Sequence, residues 1–196
     1  IIIYDDVARY EEETVEIPDY PVNLFFTKEG YFKKITPQSL RMSGEQKLKD
    51  GDEIIQELEF TNNCDLLFFT DKGQVYKAKA DDFAQTKASV LGDYVAAKLG
   101  FDEGENAVKM VVTKDYKGML LFAFENGKAA KVPLESYATK TNRKKLTGAY
   151  SDKSPLVGLL YMPEDEEVLF KASSGNMLLV HTGALALKTT RSTQGV

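Results

Sequence analysis

Lys140, Arg143, Lys144 and Lys145 place four cations within six residues, with no carboxylate among them. Like charges at that density repel one another unless a polyanion lies close, so the chemistry they point to is the capture of phosphate groups. A second basic stretch runs from Lys28 to Lys49, with six Lys or Arg against two acids. Provision for bond-making chemistry is thin by comparison. One cysteine, Cys64, and one histidine, His181, cannot build a zinc site from the usual nitrogen and sulfur ligands. Cys64 stands beside the apolar run Leu66 to Phe69 and reads as a small buried side chain. The carboxylates Asp81-Asp82 and Glu164 to Glu167 fall in turns and read as surface charge. No phosphate-cradling glycine loop, nucleophile elbow or metal cluster is present in the sequence. The ten tyrosines and eleven phenylalanines are not grouped as a base-stacking platform and read as core. Binding, not catalysis, is the chemistry these residues suit.

The formal charge of −5 argues at first sight against a polyanionic partner. Its distribution reverses that reading. Residues 1–20 hold seven acids (Asp5, Asp6, Glu11, Glu12, Glu13, Glu16 and Asp19) against Arg9, leaving +1 over the other 176 residues. Phosphate contacts are local, within a Debye length of about 8 Å, so basic stripes can hold a polyanion whatever the total. The longest apolar runs, such as Met119 to Phe124, are about six residues, where a membrane-spanning helix needs roughly twenty. The start, Ile1-Ile2-Ile3-Tyr4 before Asp5-Asp6, lacks the basic region of a signal peptide and reads as a strand cut from a longer protein.

The elements that must position the cations repeat. Four segments each carry an apolar run, a short polar turn ending in glycine, and a second strand with Lys or a polar equivalent. They span residues 23–35, 65–79, 119–132 and 168–180, and their turn glycines, Gly30, Gly73, Gly127 and Gly175, are spaced by 43, 54 and 48 residues. A three-residue hairpin loop built on a type I turn needs a positive φ at its last position, which glycine takes without strain. The apolar runs are continuous, predicting strands buried on both faces. The strands after the turn alternate, predicting one inward and one solvent face. Further strands are suggested at 53–60, 107–113 and 156–161, and the best helical candidate, Leu91 to Leu99, is short and interrupted at Gly92.

A four-stranded unit recurring at this spacing predicts an all-β protein, a β-propeller of about four visible blades over roughly 21–60, 61–113, 114–161 and 162–196. An ordinary β-sandwich has no reason to repeat turn, strand and spacing together. Residues 1–196 then read as a single domain with 1–20 as an acidic lead-in or linker, and either a small wheel or an arc of a five- or six-bladed one.

Gly30-Tyr-Phe-Lys-Lys-Ile35 resembles the Gly-Tyr-Val-Lys-Arg-Ile motif that opens the C-terminal domain of DNA gyrase and topoisomerase IV A subunits. The segment from Leu67 to Lys77 is similar to the next blade's Phe-Ser/Thr-x-x-Gly-x-Val-Tyr pattern. Thr189 to Val196 resembles the Gly-Arg-x-Thr-Gln-Gly-Val element that links later blades, and Glu11 to Glu16 falls where the family has an acidic lead-in. Each motif alone is weak; the ordered set, covering essentially the whole chain, is specific. The resemblance implies a β-pinwheel, a propeller whose blades exchange a strand, with a basic rim that bends double-stranded DNA toward the cutting core. It implies no catalysis here, since the catalytic tyrosine lies in the breakage–reunion region. It also implies no cofactor here, ATP and Mg2+ being used elsewhere in an ATP-dependent parent. The implied partners are DNA, the ATPase B subunit of the parent and the remainder of its A subunit. The fragment is implied to be monomeric, cytoplasmic, nucleoid-associated and without membrane contact.

One departure concerns the gyrase box, Gln-Arg-Arg-Gly-Gly-Arg/Lys-Gly. The corresponding stretch, Arg41 to Gly51, keeps Arg41, Lys47 and Lys49 without the box, which points to a topoisomerase IV-like parent. The expected DNA-contacting residues are Lys33 and Lys34 in the first blade, with Arg41, Lys47 and Lys49 in its outer loop. Lys77 and Lys79 follow in the second and Lys131 in the third, then Lys140, Arg143, Lys144 and Lys145 in the loop after it. Lys188 and Arg191 serve the fourth. Isolated Lys28, Lys98 and Lys171 read as solvated. A propeller that binds a protein partner is the reading from another class; a propeller hydrolase would need carboxylates converging on a central channel, which the sequence does not show.

Overall fold

The computed structural model describes residues 16–140 and 143–196, so the acidic residues at 11–13 lie outside the described residues. The chain runs β1 Pro21–Thr27, β2 Tyr31–Ile35, α1 Pro37–Met42, β3 Ile54–Thr61, β4 Asp65–Thr70, β5 Val75–Lys79, β6 Asp93–Tyr94 and α2 Val95–Leu99. It continues through β7 Ala107–Thr113, β8 Met119–Phe124, β9 Ala129–Pro133, β10 Lys145–Leu146, β11 Leu156–Met162, β12 Glu167–Lys171 and β13 Met177–His181. Short 3-10 turns follow three of the hairpins, at Ala80–Asp82, Leu134–Tyr137 and Thr182–Ala184. The four repeated segments are the antiparallel hairpins β1/β2, β4/β5, β8/β9 and β12/β13. Their turn glycines take φ of +89°, +69°, +83° and +88°, the left-handed values the turn requires.

Strands from outside the hairpin complete the first three sheets, while β12 and β13 pair only with each other. The first has the order β3-β1-β2-β6 and the second β10-β5-β4-β7, while β11 pairs with β8 in the third. β6 and β10 are therefore exchanged strands: each follows the hairpin of one blade and turns back to pair with the blade before it. The third blade receives the same return from Val196, whose N–H and C=O both bond to Ala129. Sheets thus do not coincide with contiguous ranges of sequence, since residues within 61–113 supply a strand of the first blade. The reason is edge protection: a returning segment pairs the otherwise open side of β2, β5 and β9.

Packing between blades accounts for the continuous apolar runs. Along β4, Leu66 and Phe68 enter a core shared with Leu24, Phe26 and Phe32 of the first blade. The alternate residues Leu67 and Phe69 enter a core shared with Leu120, Phe122 and Val132 of the third. A strand between two blades needs apolar side chains on both faces, so alternation disappears. The outer face of the first blade packs Phe25 and Ile35 against Ala88, Leu40 of α1 and Ile54. In the last hairpin Leu169 and Leu179, paired across β12 and β13, are 57% and 61% exposed.

Two sequence expectations are corrected. Two of the strands after the turn have no solvent face: Phe32 to Ile35 of β2 are all buried, as are Ala129 to Val132 of β9, whereas β5 turns Lys77 and Lys79 outward as expected and β13 is largely exposed. The far faces of β2 and β9 meet the next blade and the returning segment. The helical candidate at 91–99 splits into β6 and α2, because the chain must first pair with β2 before it can coil.

Candidate nucleic-acid interface

The lysine four residues after the turn glycine is an internal staple between blades. Lys34 Nζ donates to Asn62 Oδ1 at 2.7 Å and to Ala80 O at 2.9 Å, at the start of the next blade's 3-10 turn. Lys131 Nζ repeats this with Asp165 Oδ1 at 2.8 Å and Thr182 O at 2.9 Å. Lys77 reaches Thr139 Oγ1 at 3.0 Å, with its ammonium 5.1 Å from the centre of the Tyr116 ring. Lys33 points the other way and donates to Gln46 Oε1, Lys47 O and Ala88 O at 2.9, 2.8 and 3.0 Å. Burial lowers the pKa of Lys33 and of Lys77 from the ordinary lysine value. Lys33, Lys34 and Lys131 are only 1%, 2% and 5% exposed, so these three expected DNA contacts are withdrawn. A buried ammonium persists only where oxygens satisfy it, and here those oxygens belong to the protein.

Other candidates are engaged at the surface. Lys79 pairs with Asp65 at 3.5 Å. Lys145 leaves its neighbours in the sequence cluster to pair with Asp102 at 3.1 Å, 5.5 Å from the centre of the Tyr76 ring. The bond to Asp102 raises the pKa of Lys145; Asp102 is itself held low, first by Gln74 and then by Lys145. Arg191 donates to Ser136 O at 3.1 Å, tying the last returning segment to the third blade. Beneath this surface Glu105 accepts from Thr70, Gln74 and Tyr76 at 2.6–2.7 Å. Burial alone would raise its pKa, but bonds from Thr70, Tyr76, the Asp102 N–H and Gln74 hold it below the ordinary value.

Arg41, Lys47, Lys49, Lys140, Arg143, Lys144 and Lys188 remain, all exposed. Among the described residues none of the seven has a carboxylate within salt-bridge distance. Lys49 alone lies near a ring, 5.7 Å from the centre of Tyr31. Arg41 lies in the last turn of α1, a helix started by Thr36, whose hydroxyl accepts from Ser39 N–H, and by Pro37 at the first helical position. Lys47 and Lys49 lie in the loop from α1 to β3. The others occupy segments returning to the preceding blade: Lys188 N–H bonds Lys131 O, and Lys77 N–H bonds Lys144 O. Lys87 stands on the first such segment, exposed and next to Thr86, whose N–H bonds Lys34 O. The sequence reading missed Lys87. Its signal was the offset from the turn glycine, 14 residues for Lys87 against 13 for both Lys140 and Lys188.

Known proteins resemble the chain in sequence and in fold. A family model described as the DNA gyrase C-terminal domain, beta-propeller, fits residues 65–89, the second hairpin and the start of its returning segment. The A subunit of DNA topoisomerase 4 from Staphylococcus epidermidis is 26% identical over 180 residues, covering 89% of this chain and 22% of that protein. The Staphylococcus aureus protein of the same name is 25% identical over 181 residues, with the same coverage. The crystal structure of a C-terminal domain of DNA topoisomerase IV superposes with a TM-score of 0.78 at 24% identity, covering 92% of this chain and 57% of that one. The chain shares the β-pinwheel fold of the C-terminal domains of DNA topoisomerase IV and DNA gyrase A, and is similar in sequence to topoisomerase 4 A subunits. A gyrase A C-terminal domain gives a TM-score of 0.58 at 19% identity, covering 90% of this chain and 59% of that one. This pinwheel chain spans about a fifth of the length of the curated relatives it matches.

The reactive side chains of the pinwheel are spoken for. Cys64 is buried in the core between the first two blades, and burial, reinforced by Asp65, pushes its thiol up to about 11. His181 Nδ1 accepts from Gly183 N–H at 3.1 Å. Among the described residues no group of three or more His, Cys, Asp or Glu is placed to hold a metal ion. No helix among them is long and apolar enough to cross a membrane.

Proposed function

We propose that this pinwheel is the non-catalytic DNA-binding and DNA-bending domain of a bacterial type IIA topoisomerase A subunit, presenting a DNA segment to the strand-passage core. The observation that carries this is the repetition of exposed cations on successive returning segments, Lys140, Arg143 and Lys144 on one and Lys188 on the next, none of them ion-paired among the described residues. Such spacing suits phosphates, and because it reads no base edges it suits any sequence. Bending 20–30 base pairs costs on the order of 1–6 kcal/mol, which several charge-assisted contacts offset. The parent is topoisomerase IV-like: the curated relatives carry that name, and the loop from Arg41 to Gly51 lacks the gyrase box. ATP, Mg2+ and the ATPase B subunit belong to that parent, in a cytoplasmic, nucleoid-associated setting, with this chain monomeric by itself.

A duplex of about 40 base pairs carrying a dye at each end tests the bending. The expected result is binding with the ends drawn together. Binding without approach of the ends would remove bending and keep DNA contact. A second reading, docking of a protein partner, is favoured by the open apolar face of Leu169, Met177 and Leu179. It predicts salt-insensitive capture of protein and no DNA binding.

A further inference from the structure

Lys33 differs from the other internal lysines in what it joins. Lys34, Lys77 and Lys131 tie one blade to the next; Lys33, on the outer face of the first blade, ties two cation-bearing segments to each other. Its ammonium donates to Gln46 Oε1 and Lys47 O in the loop after α1, and to Ala88 O in the first returning segment. Ala88 O also accepts from Lys47 N–H at 2.8 Å, so one carbonyl takes both the loop's backbone and the buried ammonium. The loop displays Lys47 and Lys49, with Arg41 in the last turn of α1 just before it, and the returning segment displays Lys87, all exposed. An ammonium 1% exposed has no route to phosphate. Three oxygens at 2.8–3.0 Å exhaust its donors and fix the spacing of what they hang from.

We propose that Lys33 is a positioning residue for DNA binding: it holds the loop after α1 against the Lys87 segment so that the exposed cations Arg41, Lys47, Lys49 and Lys87 meet one stretch of duplex backbone. This rests on the DNA-binding reading above and adds to it a buried residue that touches no DNA. Held in advance, the loop loses less freedom on binding, which is where the gain in affinity arises.

The test is a double-mutant cycle on the whole chain. Lys33→Met is combined with the triple change Arg41→Ala, Lys47→Ala and Lys49→Ala, and affinity for a duplex of about 40 base pairs is read together with amide exchange at Lys47. Lys33→Met alone is expected to speed exchange at the Lys47 amide and to weaken DNA binding about five-fold, a coupling of the size seen between groups in one hydrogen-bond network. Placed on the triple variant, it is expected to weaken binding by less than about two-fold, because the cations it positions are gone. Equal losses in both backgrounds would reduce Lys33 to a core residue and overturn the proposal. Gln46→Ala, which removes one acceptor and keeps the ammonium, carries the same cycle if Lys33→Met does not fold. A triple variant that binds like wild type, beside a Lys140, Arg143 and Lys144 variant that does not, would sink the proposal and leave the DNA reading standing. Failure of the wild-type chain to bind any duplex would remove both.

Discussion

Two lysines of equal charge have opposite uses here, and burial separates them. Lys34 is 2% exposed and its bonds to Asn62 and Ala80 hold the first blade to the second. Lys188 is exposed, and its part in the fold is its backbone bond to Lys131 O. Changing Lys34 to Met leaves the Ala80 carbonyl and the Asn62 amide oxygen in the core with one partner fewer. The expected cost is about 2–3 kcal/mol of stability in urea unfolding. Lys188→Ala is expected to stay within about 0.5 kcal/mol of wild type in the same measurement. Equal stability losses would mean that the staple does not bear on folding. The sequence could not separate the two lysines, because a buried lysine and a rim lysine look alike until the next blade is packed against the strand. The one hint was register: Lys34, Lys77 and Lys131 each stand four residues after the turn glycine, and the fourth repeat has Leu179 there.

At the scale of elements, the hairpins were legible and the exchanged strands were not. The hairpins announce themselves through a local pattern, an apolar run followed by a glycine that must take positive φ. β3, β7 and β11 were legible too, as apolar runs at 53–60, 107–113 and 156–161. β6 and β10 are two residues long and owe their existence to pairing with a hairpin far back in the chain, which leaves no periodic mark. Their positions rest on close approach of backbone. A Cβ on Gly92, whose φ is +86°, would overlap the Phe32 carbonyl, and one on Gly195 would overlap the Ala129 carbonyl. Gly92→Ala is therefore expected to cost about 2–3 kcal/mol and to expose the β2 edge, more than the roughly 1 kcal/mol of a left-handed residue in open space. Gly100→Ala, where φ is +67° and nothing lies within 4 Å, is the control. Equal costs for the two would mean that the returning strand is not held by contact with β2. The missed helix α1 has the same explanation as β6: its reason is the uncovered Phe25 and Ile35 face, which Leu40 packs against.

Across the whole molecule, the exchange of strands and the distribution of charge have one consequence. Each returning segment protects the edge of the preceding blade and, in doing so, displays its side chains to solvent at a repeating place. Acids concentrate instead in residues 1–20, which is why a chain of net −5 still offers basic surface. The same geometry explains why the cluster Lys140 to Lys145 is not used as one unit: Lys145 enters β10 and pairs with Asp102, leaving Lys140, Arg143 and Lys144 outward. The measurement that tests this most directly is the salt dependence of duplex binding, for wild type and for a Lys140→Ala, Arg143→Ala, Lys144→Ala variant. Each neutralised phosphate contributes about 0.9 to the slope of log affinity against log salt. A wild-type slope of roughly −5, falling by about 2.7 in the variant with folding intact, is the predicted result. A steep slope left unchanged by removal of those three cations, or no binding at low salt, would contradict the account.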